Sequence, residues 1–178
     1  MIKTTIKMFE KITSKSRILI ERYTKKYETV IDNEIELGNI KKTDTVLFVG
    51  AGAIPFTPIL LARKTGCKVI GIDCDLRAVK QAKNVINKLR LNDLVSIEYG
   101  DGVTHEGFIF NKSILALQVS PLNRVIDVLS LQCDTVIIRQ PFYRYRHHYD
   151  QLDNRVEVLS EINQPMKFFG TSKRVKNL

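Results

Sequence analysis

Apolar residues recur every three or four positions early in this chain, then give way to short continuous runs. Ile6, Phe9 and Ile12 predict an amphipathic helix over residues 3–13, interrupted at Ser14 to Ser16. Ile20, Tyr23, Tyr27, Val30 and Ile31 predict a longer helix reaching about Leu37. Gly38 is the expected stop, where a left-handed cap is usual. From Thr43 strands and helices alternate. The run Thr45–Val49, between Asp44 and Gly50, is the pattern of a strand buried on both faces. Thr57 is the expected N-cap of a helix with Pro58 at its first position, ending at Gly66. Lys68–Ile72 predicts a second strand. Asp75 then caps a helix that places Val79, Ala82, Ile86 and Leu89 on one face. Val95–Tyr99 is the third strand.

The crossover from Val103 to Lys112 is short and contains Gly107, which predicts a helical turn or a loop. Ser113–Val119 reads as a fourth strand, Leu122, Val125, Ile126 and Leu129 as a helix face, and Thr135–Ile138 as a fifth strand. Arg139–Tyr149 is polar and aromatic and is expected to be a surface loop. Val156–Ile162 and Met166–Gly170 read as an antiparallel pair at the sheet edge. Alternating strands and helices impose a parallel sheet with right-handed crossovers. The expected fold class is α/β: a Rossmann-like three-layer αβα arrangement with N-terminal helices. Its sheet is mostly parallel and seven-stranded, with an antiparallel edge pair. Residues 1–42 are expected to form a helical extension on a single compact unit spanning 43–178.

Composition narrows the picture. At 178 residues and 44% hydrophobic content the chain suits one buried core. No stretch approaches the roughly 20 apolar residues of a membrane span, and no leader pattern is evident. The expectation is a cytoplasmic protein with no membrane association. Three scattered cysteines make neither a disulfide framework nor a metal cluster, so no metal is expected. The net charge is +9, and the first 26 residues hold eight basic side chains against two acidic ones. Such a segment suits an anionic partner such as nucleic acid. Lys3, Lys7 and Lys11, spaced by four, equally describe a solvated helix face.

The chemistry concentrates where strands end. Gly50-Ala51-Gly52 follows the first strand directly, letting the backbone turn sharply and approach a ligand with no Cβ in the way. Pro55 stands where a dinucleotide fingerprint would place its third glycine. It removes a backbone N–H, which argues against a pyrophosphate site. Asp73 ends the second strand, where an acidic side chain can accept from both ribose hydroxyls. Asp101, between Gly100 and Gly102, follows the third strand. Each has a structural alternative: Asp73 as a turn cap, Asp101 as the closure of a Gly-Asp-Gly loop. Cys74, next to Asp73, reads either as a packing residue or as a ligand neighbour.

In order, VLFVGAG, VIGIDCD and IEYGDGV over residues 43–140 resemble class I S-adenosylmethionine-dependent methyltransferases. That resemblance implies S-adenosyl-L-methionine as cofactor. It implies that Gly50 and Gly52 pass the methionine part, that Asp73 holds the ribose and that Asp101 reads the adenine amino group. Ala51, Cys74 and Gly102, beside them, are the further residues expected on the cofactor side. A narrower resemblance lies in VGAGAIPFTPILLA (residues 49–62), which is similar to the G-S-G-P-x-P-L-T-S-I segment of nicotianamine synthases. It implies transfer of the aminobutyrate part of the cofactor. The spacing of Tyr27 and Glu34 resembles the tyrosine and glutamate of that family's preceding helix, and Val136–Arg139 its fifth strand.

The acceptor side is less defined. Leu117-Gln118-Val119-Ser120-Pro121 lacks the Asn/Asp-Pro-Pro-Tyr pattern that holds a planar nitrogen. The expected catalytic candidates are Glu34, Tyr27 and His147, the last from an arginine- and tyrosine-rich loop expected to overhang the crevice. Methyl transfer to a small-molecule or nucleic-acid acceptor is the leading expectation. Aminobutyrate transfer is the first alternative and a non-catalytic nucleotide- or RNA-binding module the second. A homodimer is compatible with all three.

Overall fold

The computed structural model describes residues 27–166 and 169–177. The helix expected over 3–13, the first turns of the longer helix and the basic N-terminal segment lie outside the described residues. Helix α1 spans Glu28–Gly38, β1 Thr45–Val49, α2 Phe56–Thr65, β2 Lys68–Asp73, α3 Leu76–Leu89 and β3 Val95–Tyr99. Strand β4 follows at Lys112–Leu115, α4 at Leu122–Ser130 and β5 at Thr135–Pro141. A 3₁₀ turn covers Tyr143–His148 before β6 (Val156–Asn163) and β7 (Phe169–Asn177).

Among the described residues, seven strands form one sheet in the order β3-β2-β1-β4-β5-β7-β6. The first five are parallel, and β7 runs antiparallel to both β5 and β6. This is the expected Rossmann-like sheet with its antiparallel edge. The period of two along β1 explains the layers. Val46 and Phe48 join the apolar cluster formed with α1, α2 and α3, while Leu47 and Val49 join the one formed with α4. Strand order reverses between β1 and β4, and the crevice opens beyond the carboxyl ends there. No helix among the described residues is long and apolar enough to cross a membrane.

Several local expectations give way. The left-handed cap of α1 is Asn39 (φ 47°), not Gly38, which is the last helical residue. Gly38 is nevertheless constrained, since a Cβ there would lie 2.8 Å from Ile137 Cδ1. Helix α2 begins one residue before Thr57, with Pro55 at the cap position and no side-chain cap. Thr57 turns inward instead and takes a hydrogen bond from Arg139. Strand β4 spans Lys112–Leu115 and ends before the expected Val119; the crossover before it is a loop, one of the two forms expected. Strand β5 continues through Arg139, Gln140 and Pro141, all buried, so the expected surface loop starts later. Strand β7 begins at Phe169, later than the expected Met166–Gly170, and runs on to Asn177, pairing along both β5 and β6.

Candidate functional site

The glycine bend after β1 has the backbone its residues permit. Gly50 (φ 87°) and Gly52 (φ 66°) are both left-handed, a conformation that costs other residues energy. The N–H groups of Gly50 and Ala51 donate to Ile72 O at 2.9 and 3.0 Å, pinning the bend to β2. Asp73 locks it from the other side. Its Oδ2 accepts from Gly52 N at 2.8 Å and its Oδ1 from Asp75 N at 2.9 Å. Asp75 caps α3 as its side chain predicts, accepting from Arg77 N at 2.9 Å. Beyond β3, Asp101 Oδ1 accepts from Val103 N at 2.7 Å.

These tips surround one open cavity of about 670 Å³. All seven residues expected on the cofactor side, from Gly50 to Gly102, line it. Tyr27 lines it too, stacked on Phe56 with ring centroids 5.2 Å apart. Glu34 lies behind the wall, fully buried. Arg139, a wall residue, grips it: Nε donates to Glu34 Oε1 and Nη2 to Oε2, each at 2.8 Å. Nη2 also donates to Thr57 Oγ1 at 2.8 Å, and Ser172 Oγ donates to Glu34 Oε1 at 2.8 Å. Asn33 completes the network, donating to Gln164 Oε1, whose Nε2 donates to Ser172 Oγ. His147 sits apart, exposed in the 3₁₀ turn with its ring 3.9 Å from that of His148, and does not line the cavity. Tyr149 is the part of that segment that reaches the cavity wall.

No family model matches the chain. Over 73 residues it is 32% identical to L-histidine 2-aminobutanoyltransferase of Yersinia pestis, covering 41% of this chain and 28% of that protein. The match thus spans less than a third of that relative's length. Among solved structures, a Glu-to-Gln variant of the nicotianamine synthase MtNAS in complex with S-adenosylmethionine superposes with a TM-score of 0.83. It is 22% identical, over 97% of this chain and 72% of that one. MtNAS in complex with MTA and tNA also gives 0.83, at 21% identity over 98% and 70% of the two chains. An RNA methyltransferase of Salinibacter ruber in complex with S-adenosyl-L-homocysteine gives 0.66, at 20% identity over 84% and 90%. The chain has the fold of the S-adenosylmethionine-dependent transferases.

Within this transferase fold the electrostatics separate two ends. At one lie the carboxylates of Asp73 and Asp101. At the other, burial pulls the Arg139 guanidinium down, but the charge and hydrogen bonds of Glu34, helped by Tyr27, more than offset this and leave it above its ordinary value. The guanidinium lies 5.5 Å from the Phe48 ring centroid and 5.3 Å from that of Phe169. Burial, with Tyr145 nearby, pushes the Tyr149 phenol up. Sequence reasoning missed Gln164 and Ser172, read Thr57 as a helix cap, and put Arg139 in a loop by its polarity although the resemblance put it in the fifth strand, where it lies. An arginine ending the apolar run Val136–Ile138 was the available signal, since a charge on a buried strand needs a partner. Among the described residues no cluster of His, Cys, Asp or Glu could hold a metal ion.

Proposed function

We propose that this chain is an S-adenosylmethionine-dependent transferase that moves the 2-aminobutyrate arm of the cofactor onto an amine-bearing small molecule. The observation that carries this reading is one cavity with two built ends: the glycine bend with Asp73 and Asp101, and the Arg139–Glu34 pair opposite. Gly50, Ala51 and Gly52 leave room for the methionyl part. Each Asp73 oxygen already takes one backbone N–H and keeps a lone pair for a ribose hydroxyl. Cys74 flanks the adenosyl group, and Asp101 with Gly102 faces its base.

Bound S-adenosylmethionine supplies a carbon on a sulfonium whose departure leaves a neutral thioether. The chain's residues have chiefly to align and desolvate, since no strong acid is needed for such a leaving group. Arg139 uses Nε and Nη2 on Glu34 and Thr57, while Nη1 has no protein acceptor among the described residues. That donor suits the carboxylate of the transferred arm. Both Glu34 oxygens accept from Arg139, so Glu34 acts here as the residue that orients the guanidinium. Tyr27, stacked in the wall, is the candidate to contact the incoming amine.

The relative acting as an aminobutanoyltransferase and the closer superposition on MtNAS favour aminobutyrate over methyl transfer. Methyl transfer is the second reading, because the cofactor end of the cavity serves either chemistry. Incubation with S-adenosylmethionine and L-histidine, followed by chromatography of the nucleoside product, separates them. Methylthioadenosine supports aminobutyrate transfer, and S-adenosylhomocysteine supports methyl transfer. Absence of binding heat at millimolar S-adenosylmethionine with folded protein would sink both.

A further inference from the structure

A carboxylate between two glycines has little stiffness of its own, yet one that reads a base must be held still. The segment Gly100–Asp101–Gly102 is held at several points. Gly100 N donates to Asp73 O at 3.1 Å, and Asp101 O accepts from His105 N at 2.9 Å. A Cβ on Gly102 would lie 2.9 Å from Val125 and 3.0 Å from Val49, so its Cα is wedged between β1 and α4. Val103 N donates to Asp101 Oδ1 at 2.7 Å, and the His105 side chain adds a further anchor, its Nδ1 lying 3.2 Å from Gly102 O.

His105 is buried and does not line the cavity; it stands behind the loop. Its ring is flanked by Phe108 and Phe110, with centroids 6.2 and 5.9 Å away. Its Nε2 lies 2.9 Å from Gln132 Oε1, in the turn after α4. A carbonyl only accepts, so Nδ1 must carry a proton for the Gly102 contact to exist. The Gln132 amide can present either its oxygen or its NH₂ group, so it satisfies Nε2 whether or not that nitrogen is protonated. The contact to Gly102 therefore requires only that Nδ1 hold a proton.

We propose that His105 is a positioning residue for cofactor recognition, setting the discrimination of the base through Gly102; this rests on the cofactor reading above. Val103 N occupies Asp101 Oδ1, leaving Oδ2 with no protein donor among the described residues and available to an exocyclic amino group. With Gly102 O fixed by His105, Asp101 presents that oxygen at one place. Without the contact the Gly102 peptide can rotate between its remaining anchors, and the carboxylate is aimed less sharply.

The test compares S-adenosylhomocysteine with S-inosylhomocysteine, which carries a 6-oxo group in place of the amine, by calorimetry. The wild-type protein is expected to prefer the adenosyl compound by about tenfold, the scale of one hydrogen bond to a charged group. His105→Asn keeps an N–H near the Nδ1 position and is expected to stay within about threefold of wild type in affinity and preference. His105→Gln reaches Gln132 but not Gly102. It is expected to lose about tenfold in affinity for S-adenosylhomocysteine and most of the preference over S-inosylhomocysteine. Equal behaviour of the two variants, or equal binding of both probes by wild type, would overturn the proposal while leaving the cofactor reading standing. Wild-type binding of neither probe would overturn the cofactor reading itself. A second readout needs no variant: nitrogen–proton correlation spectra should place a proton on His105 Nδ1 with and without S-adenosylhomocysteine. A ring protonated at Nε2 alone would also refute the proposal.

Discussion

Asp73 serves the fold and the proposed ligand with one carboxylate. It holds the Gly52 amide on one oxygen and the Asp75 amide on the other. Asp73→Ala is therefore expected to weaken S-adenosylmethionine binding by about 1–3 kcal/mol. Calorimetry on protein with an intact fold checks this, and unchanged affinity removes Asp73 from the site. Cys74 is the exposed thiol of the three cysteines and lines the cavity. Burial pushes the thiols of Cys67 and Cys133 up, with smaller opposing hydrogen bonds, so both stay protonated where an ordinary thiol begins to ionise. A disulfide reagent near pH 8 should modify Cys74 alone, and S-adenosylhomocysteine should slow it. Labelling that ligand does not slow would place Cys74 outside the cofactor's footprint. At this scale the sequence was readable, because a glycine bend and two acidic strand tips are local patterns that need no distant partner to be recognised.

At the scale of elements the strands were legible from their apolar runs, and the polar groups that join them were not. Thr45–Val49 and Val95–Tyr99 are strands at their expected bounds. Glu34, Arg139 and Ser172 meet across separations of 105 and 138 residues, and nothing in the segment of any one names the other two. Spacing within one helix or strand carries no information about such a meeting. The same blindness made Thr57 look like a helix cap, when its hydroxyl is held by an arginine 82 positions away. The pair joins α1 to β5, and removing one partner strands a buried charge. Glu34→Leu or Arg139→Met alone should cost about 3–5 kcal/mol, and the double substitution much less. Urea midpoints for the three variants test this; an additive double variant would mean the pair is not coupled. At the end of α1, Asn39→Ala should destabilise by roughly 1 kcal/mol, while Asn39→Gly should not, because φ is 47° there. Melting curves distinguish the two.

For the whole molecule, the reversal of strand order between β1 and β4 places the cavity, and ligand binding should be felt throughout the fold. A ligand at one hundred times its dissociation constant adds about 2.7 kcal/mol to stability. For a domain of this size that corresponds to a melting rise of roughly 5–10 °C. S-adenosylmethionine and S-adenosylhomocysteine should both raise the transition in proportion to the logarithm of concentration. A flat response would leave the fold as described and the proposed cofactor without support.

The Arg139–Glu34–Ser172 cluster also dates the cavity. Arg139 is made 105 residues after Glu34 and Ser172 is made 138 residues after it, yet both converge on the Glu34 carboxylate. A nascent chain halted before β7 would already contain its glycine bend and both acidic strand tips, with the guanidinium only partly restrained. Competence for ligand thus waits for β7, and a polypeptide cut before that strand would carry the motifs of the site without its finished wall.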